Sequence, residues 1–174
     1  MGDRSVTRNC GPDLVRVGAG LPVAAYRDEI TTALHGGRAV IVAPPGTGKT
    51  TFVPPLVASR CSGRVIVTQP RRVAARAAAR RLATLTGTRP GEFASHTVHG
   101  ESTTTRDTKV EFVTTGVLLR RLLSDPDLTG VDAVVLDEVH ERHLDADLVV
   151  AMVCEFDQFR DDLTIVAMSE TVDS

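Results

Sequence analysis

The stretch from Ala43 to Thr50, Ala-Pro-Pro-Gly-Thr-Gly-Lys-Thr, has the residue types and spacing of a loop that binds phosphate groups. Its two glycines allow a tight turn in which successive backbone N–H groups converge on a phosphate at the start of a helix. The lysine brings a positive charge to the β- and γ-phosphates, and the hydroxyl of Thr50 suits Mg²⁺. The full pattern has glycine where this chain has Ala43. An ordinary glycine turn is nevertheless the weaker interpretation, because an apolar segment precedes the loop and a segment that can be helical follows it.

Two adjacent carboxylates, Asp137 and Glu138, follow the apolar segment of residues 131 to 136. A phosphate loop needs a carboxylate that holds Mg²⁺, and its usual place is the end of a neighbouring buried strand, so Asp137 is the predicted ligand. Glu138 is the natural base or orienter for an attacking water. Taken alone, the pair is also compatible with a turn at the end of a strand. Together with the phosphate loop, it predicts a site that binds and hydrolyses a nucleotide.

The histidines have no spacing that is typical of metal ligands. His35, His96, His99 and His143 share no such spacing with His140 or with the cysteines, so the sequence predicts no zinc site. His140 has two interpretations of equal weight, a hydrogen-bonded structural residue and a functional one.

Length and composition favour one soluble globular domain. The chain has 174 residues, of which 42% are hydrophobic and 24% are charged. The net charge of −2 provides no overall attraction for nucleic acid, so any such binding needs a local patch. The three cysteines are far apart in the sequence, which favours a reducing cytoplasm. No apolar run is long enough to span a membrane, so no membrane partner is expected.

Apolar segments of strand length alternate with helical patterns, which predicts a mostly parallel sheet covered on both faces. The predicted helices begin near residues 21, 49, 73, 117 and 145, and Pro54 and Pro55 should make the second of them short or kinked. The predicted strands are residues 38–42, 64–68, 97–100, 109–114, 131–136 and 163–168. Residues 1–20 have no periodicity and are interpreted as a mobile leader.

Two further segments lie where a strand ends and a helix begins, the usual ligand edge of an open α/β sheet. Arg71 and Arg72 follow the second strand, and a function is favoured for both. Thr115 and Gly116 open a helix whose free N–H groups can hold a phosphate, although Thr115 alone need only cap that helix. Arg76 and Arg80 are interpreted as part of a solvated helix face.

These motifs resemble those of the DEAH-box helicases of superfamily 2, in the same order and with similar spacing. They are the phosphate loop, Thr-Gln-Pro-Arg-Arg from Thr68, Thr-Thr-Gly from Thr114, and Asp-Glu-Val-His-Glu-Arg from Asp137. Alanine at position 43 is normal in that family. Residues 71–78 and the segment Gly100-Glu101-Ser102 look most like the bacterial HrpB-type members. The resemblance covers about residues 21 to 173.

The resemblance implies a three-layer α/β RecA-like phosphate-loop domain that binds and hydrolyses ATP with Mg²⁺. Residues 21–174 would be the first of two such domains of an ATP-dependent RNA helicase, and the second domain is absent from this sequence. RNA and that second domain are the implied partners. This chain alone should be a poor ATPase and no helicase. Two alternatives are a nucleotide-responsive RNA-binding module without turnover and another phosphate-loop phosphotransferase.

The resemblance also implies a role for each site residue. Nucleotide binding falls to Pro45, Gly46, Thr47, Gly48, Lys49, Thr50 and Thr51, and Mg²⁺ binding to Thr50 and Asp137. The implied catalytic residues are Lys49, Glu138 and His140. The implied contacts to the nucleic-acid backbone are Thr68, Gln69, Pro70, Arg71, Arg72, Thr115 and Gly116. Ser169 and Thr171 would couple the two sites through His140.

One residue departs from the family pattern. Glu170 replaces the alanine of the family's Ser-Ala-Thr motif. A carboxylate at this position should repel nucleotide or raise the pKa of a neighbouring carboxylate.

Overall fold

The computed structural model describes residues 11–141, 144–156 and 160–170, and its strands form one sheet. The strands are β1 (Arg38–Val42), β2 (Arg64–Gln69), β3 (Ala94–Val98), β4 (Glu101–Ser102), β5 (Val110–Thr114), β6 (Val131–Leu136) and β7 (Thr164–Ser169). Their order across the sheet is β1-β7-β6-β2-β5-β3-β4. Neighbouring strands are parallel, except that β4 is antiparallel to β3.

Helices cover both faces of this sheet, as predicted. They are α1 (Leu14–Gly18), α2 (Arg27–Leu34), α3 (Lys49–Ala58), α4 (Arg72–Thr86), α5 (Thr115–Ser124) and α6 (Leu144–Phe156), with a 3-10 helix at Pro22–Tyr26. The strands alternate between two apolar cores. Val65 and Val67 pack with α1 to α4 on one face, and Ile66 packs with α5 and α6 on the other. The molecule therefore has three layers.

Part of the predicted mobile leader is a folded helix. The carboxylate of Asp13 accepts hydrogen bonds from the backbone N–H groups of Val15 and Arg16 and so caps α1. Val17 is buried, and a Cβ on Gly18 would lie only 2.9 Å from the ring of Phe52. The prediction is therefore wrong for residues 13–18, because this helix packs against α3. Residues 1–10 lie outside the described residues.

The helix after the phosphate loop is ten residues long and contains both Pro54 and Pro55. Each proline removes a backbone donor from the helix. Burial of apolar side chains offsets that loss, because Phe52, Val53, Leu56 and Val57 are each at most 3% exposed. The prediction of a short helix agrees with these bounds.

Other predicted boundaries differ from the structure by a few residues. The strand predicted at residues 97–100 lies at Ala94–Val98, and the helix predicted from residue 117 begins at Thr115. Helix α6 begins at Leu144, and residues 157–159 of its predicted span lie outside the described residues. Among the described residues, no helix combines the length and the apolar character needed to cross a membrane.

Candidate functional site

The carboxyl ends of five parallel strands lie along one edge of the sheet. The register pairs Val42 with Ser169, Gln69 with Thr114 and Thr68 with Leu136, so these strands end at similar heights. The segments that directly follow these strands contain the phosphate loop, Glu170, the Asp-Glu pair, the two arginines and Thr115. The strand order therefore brings all the sequence-predicted segments to the same edge.

Two glycines give the phosphate loop its shape. Gly46 has φ 74° and Gly48 has φ 90°, a left-handed region that disfavours other residues. A Cβ on Gly48 would also lie 2.9 Å from the side chain of Leu21. The backbone N–H of Val23 donates to the carbonyl of Thr47 at 3.0 Å. The 3-10 helix thus supports the loop from behind, a contact that the sequence motif did not indicate.

Lys49 is buried at the start of α3, inside the loop that precedes it. Its Nζ donates to the carbonyl of Ala43 at 2.5 Å and to that of Pro44 at 3.1 Å. Thr47 Oγ1 also donates to the Pro44 carbonyl, at 2.8 Å. The ammonium group is therefore held where the loop turns, next to the amino end of α3. The amino end of a helix attracts anions.

Asp137 lies immediately after β6 and contacts the phosphate loop directly. Its Oδ2 accepts hydrogen bonds from Thr50 Oγ1 and from Gln69 Nε2, both at 2.5 Å. Its Oδ1 accepts one from the N–H of Glu138 at 3.0 Å, and its own N–H donates to Thr68 Oγ1 at 3.2 Å. Burial raises the pKa of this carboxyl above its usual range, although these hydrogen bonds and Lys49 favour the charged form.

The donor set around Asp137 fits Mg²⁺. The hydroxyl of Thr50 and the carboxylate of Asp137 are the hard oxygen ligands that this cation prefers, and they lie in contact. A buried carboxylate whose charged form is disfavoured gains from a cation nearby. Thr50 and Asp137 would hold the ion, which would neutralise charge on the phosphates.

Glu138 has an unusual backbone conformation, with φ 56°. A non-glycine residue in this region costs about 1 kcal/mol or more, and such strain is frequent at functional sites. Burial raises the pKa of Glu138, and the charges of Asp137 and Glu170 raise it further, whereas His140 and Lys49 act in the opposite direction. The effect that was predicted for Glu170 on a neighbouring carboxylate is therefore present.

His140 connects the Asp-Glu pair to the end of β7. Its Nε2 lies 3.1 Å from Glu138 Oε2 and 3.8 Å from Glu170 Oε2. Its Nδ1 lies 3.4 Å from Ser169 Oγ and accepts a hydrogen bond of 3.4 Å from the N–H of Glu170. The predicted proximity of His140 and Ser169 is thus found. Thr171 lies outside the described residues.

The segment predicted to contact nucleic acid divides into two sets. Thr68 and Gln69 are buried and bonded to Asp137, so their side chains position this carboxylate, and Thr68 also lines the cavity that Thr115 and Gly116 line. The pairing of β2 beside β6 causes this contact, and the predicted role of both residues in binding nucleic acid stays a prediction. No sequence pattern indicates this contact, because Gln69 and Asp137 are 68 positions apart.

The remaining residues of that segment lie at the surface or line a cavity. Pro70, Thr115 and Gly116 line a cavity of about 320 Å³ together with Asp137 and Glu138. Arg71 and Arg72 are exposed, and Arg71 Nη2 lies 3.2 Å from Glu141 Oε1. Arg76 is paired with Glu101, so it is not merely solvated as predicted.

This fold, with a Gly-Lys-Thr loop after one strand and an Asp-Glu pair after another, is that of the phosphate-loop class, and its sheet and layers are RecA-like. A family model described as DEAD/DEAH box helicase matches residues 26–174. The chain therefore belongs to the DEAD/DEAH box helicase family.

Individual relatives are similar over most of this chain. The ATP-dependent RNA helicase HrpB of Escherichia coli (strain K12) is 42% identical over 158 residues, which cover 88% of this chain and 20% of HrpB. The ATP-dependent RNA helicase HrpA of Borreliella burgdorferi is 34% identical over 88% of this chain and 19% of HrpA. The crystal structure of the Escherichia coli DEAH/RHA helicase HrpB matches with a TM-score of 0.84 and 41% identity, over 89% of this chain and 20% of that one. The chain thus spans about one fifth of the length of the curated relatives it matches.

Proposed function

We propose that this chain is the ATP-binding domain of an ATP-dependent RNA helicase, in which residues 21–174 form the first RecA-like domain. The observation that carries the proposal is the hydrogen bond between Thr50 and Asp137, which are 87 positions apart. This contact joins the phosphate loop to the acidic pair in the arrangement that ATP·Mg²⁺ requires.

In this proposal, each group at the edge has one task. Residues 45–51 surround the triphosphate, and the charge of Lys49 faces its β- and γ-phosphates. Thr50 and Asp137 hold Mg²⁺, and Gln69 fixes the orientation of Asp137. Glu138 accepts a proton from the attacking water, and His140 holds the Glu138 carboxylate. Ser169 and Thr171 couple this site to the RNA.

RNA and a second RecA-like domain are the proposed partners. Both named relatives are described as RNA helicases and are about five times as long as the region that matches. Arg71, Arg72, Thr115 and Gly116 would contact the RNA backbone, which fixes position and does not read sequence. A second domain would supply an arginine finger, which is worth about 10³ to 10⁵ in rate in related enzymes. Alone, the chain should therefore hydrolyse ATP slowly.

A second candidate function is an RNA-binding module that responds to nucleotide without turnover. The position of Glu170 favours it, because its Oε2 lies 3.8 Å from His140 Nε2, at the proposed connection between hydrolysis and RNA. ATP turnover by this chain, with and without RNA, beside a version that is extended through a second domain, separates the two candidates. We further propose a reducing compartment such as the cytoplasm, since Cys61 and Cys154 are free thiols.

Replacing Lys49 tests the nucleotide site. Lys49→Ala should weaken ATP·Mg²⁺ binding by about ten- to one-hundred-fold, the usual value of a hydrogen bond to a charged group. Lys49→Met keeps the apolar stem and should lose as much. The matched control is Lys109→Ala, which removes a lysine bonded to the Ser62 carbonyl. Equilibrium titration with a fluorescent ATP analogue measures the affinity, and unchanged affinity in both Lys49 variants would overturn the proposal.

A further inference from the structure

Three possible metal ligands converge beside the proposed nucleotide site, and the sequence predicted no such cluster. Glu138, His140 and Glu170 each offer one ligand atom, and these atoms lie within 4.8 Å of one another. The structure describes residues 11–141, 144–156 and 160–170. Among them, this is the group of three or more acidic, histidine or cysteine side chains whose ligand atoms lie that close together. Two of its members follow β6 and the third follows β7.

The distances are close to those of a metal site. Zinc binds histidine nitrogen and carboxylate oxygen at about 2.0–2.2 Å, which separates neighbouring ligands of a tetrahedral site by about 3.3–3.6 Å. His140 Nε2 lies 3.1 Å from Glu138 Oε2 and 3.8 Å from Glu170 Oε2, values on either side of that separation. The third separation, between the ligand atoms of Glu138 and Glu170, is at most 4.8 Å, so these two carboxylates would have to move closer by side-chain rotation to complete the geometry. The three side chains are 22–32% exposed, so an ion can reach them.

The local charge also favours a cation. Glu138 and Glu170 bring two carboxylates within 4.8 Å of each other, and Asp137 precedes Glu138 in the chain. The basic groups near them are His140, whose Nε2 lies 3.1 Å from Glu138 Oε2, and Lys49, which is bonded to its own loop. A dication between Glu138 and Glu170 would relieve the repulsion between these carboxylates.

We propose that Glu138, His140 and Glu170 form a second cation site, for a transition-metal dication of the zinc type, distinct from the Mg²⁺ position at Thr50 and Asp137. An imidazole ligand favours zinc over magnesium, which prefers oxygen ligands alone. Three protein ligands leave a fourth position for water. A metal on Nε2 would place the ring proton on Nδ1, so the 3.4 Å hydrogen bond from the N–H of Glu170 to Nδ1 would be lost and Ser169 Oγ, also 3.4 Å from Nδ1, would be the acceptor.

Occupation of this site would regulate the enzyme. The metal would bind the carboxylate that the proposed mechanism uses as a base, so ATP turnover would fall. This consequence depends on the proposed function, whereas binding of the metal does not. Glu170, the residue that departs from the family pattern, would make the site specific to chains that carry a carboxylate at this position.

Metal titration without nucleotide tests the site itself. Isothermal titration of the chain with Zn²⁺ should give one site, and Co²⁺ should give the visible absorption bands of a four-coordinate ion. Glu170→Ala and His140→Ala should each weaken binding at least ten-fold. Asp137→Asn should retain the site, which separates it from the Mg²⁺ position. His99→Ala and Cys154→Ser are controls for adventitious binding to an exposed histidine or thiol. Equal affinity in Glu170→Ala, or loss of binding in Cys154→Ser, would overturn the proposal.

Turnover measurements test the regulatory part, in a version that is extended through a second domain. Zn²⁺ in excess over its dissociation constant should inhibit the parent protein at saturating ATP·Mg²⁺ and spare Glu170→Ala. Inhibition of both to the same degree would contradict a role for Glu170. A parent protein that binds Zn²⁺ yet hydrolyses ATP at full rate would overturn the regulatory part. Absence of ATP turnover without Zn²⁺ would instead contradict the proposed function, and the calorimetric result would stand by itself.

Discussion

Asp137 illustrates how one carboxylate depends on residues from three segments of the chain. Thr50 and Gln69 donate to the same oxygen, and the N–H of Glu138 donates to the other. These bonds keep a buried carboxylate oriented toward the phosphate loop, where an unpaired one would be costly. Glu138 follows in a strained left-handed conformation. Its Oε2 lies 3.1 Å from His140 Nε2.

Glu138→Gln should separate nucleotide binding from turnover. The amide keeps the shape of the side chain but cannot accept a proton, so ATP·Mg²⁺ affinity should change little. Turnover in a version with a second domain should fall by about 10²-fold or more, the usual contribution of a general base. Steady-state phosphate release and equilibrium titration give the two values. Glu141→Gln, which changes a neighbouring carboxylate paired with Arg71, is the control. A fully active Glu138→Gln protein would assign the base to another residue.

At the scale of secondary structure, Glu111 of β5 connects four elements. Both oxygens of this buried carboxylate accept hydrogen bonds of 2.9 Å from Arg121 of α5. Arg64 of β2 donates at 3.2 Å and Thr97 of β3 at 2.7 Å. Burial alone would raise the pKa of Glu111, but Arg121, Thr97 and Arg64 together outweigh it and lower this pKa to about 2.

Glu111→Gln should therefore destabilise the fold in a pH-dependent way. Breaking a buried pair leaves the arginines uncompensated and costs about 3–5 kcal/mol in the free energy of unfolding at pH 7. The folded pKa of about 2 lies below the ordinary value of 4.5, so the unfolded chain binds the proton first as the pH falls. The ionised form of Glu111 contributes about 3 kcal/mol to the free energy of unfolding above pH 4.5, and this contribution is lost between that pH and pH 2.

Urea unfolding at pH 7 and at pH 3 measures this dependence. The difference between parent and Glu111→Gln should be smaller at pH 3. Glu92→Gln is the control, because Glu92 pairs with Arg89 on the surface and should change stability little at either pH. A difference that stays constant between the two pH values would show that the ionised form of Glu111 is not what stabilises the sheet.

At the scale of the whole molecule, one edge of the sheet carries both proposed ligands. The nucleotide site lies at the ends of β1 and β6, and the proposed RNA contacts follow β2 and β5. Asp137 and Glu138 line the same cavity as Pro70, Thr115 and Gly116. RNA at these proposed contacts would lie next to the carboxylates that are proposed to act on ATP, which would give a short structural route for coupling. Because the net charge is −2, the RNA contacts must be local.

Replacing Arg71 and Arg72 together by glutamine should weaken RNA binding equally for all sequences and flatten its dependence on salt. Each lost phosphate contact reduces the slope of log affinity against log salt concentration by about 0.7 for a single strand. Fluorescence anisotropy with several RNA sequences, over a range of salt concentrations, measures both effects. Arg80→Gln with Arg81→Gln makes the same charge change further along α4, on exposed positions, and should leave the slope unaltered. Loss of binding for some sequences and not others would contradict contacts to the backbone.

The local elements and the chemical motifs could be predicted from residues that lie close together in the sequence. Alternating apolar segments predicted the strands and the helical cover, because side-chain periodicity depends on residues a few positions apart. The phosphate loop and the Asp-Glu pair were identifiable for the same reason, since each is defined within eight residues or fewer. The packing of α1 was not, because its buried residues, Val17 and Gly18, form no pattern of helical length in the sequence.

Which of these segments meet depends on the order of the strands in the folded sheet. The strand order places β7 between β1 and β6, so Glu170 reaches His140, 30 positions earlier in the chain. It places β2 next to β6, so Gln69 bonds to Asp137 and its side chain is buried. Neither contact has a signature in the sequence, because hydrogen bonds between distant residues depend on the order in which strands pair. The lack of zinc-ligand spacing in the sequence likewise says nothing about the proposed cation site. Its three possible ligands, Glu138, His140 and Glu170, come from the ends of two different strands.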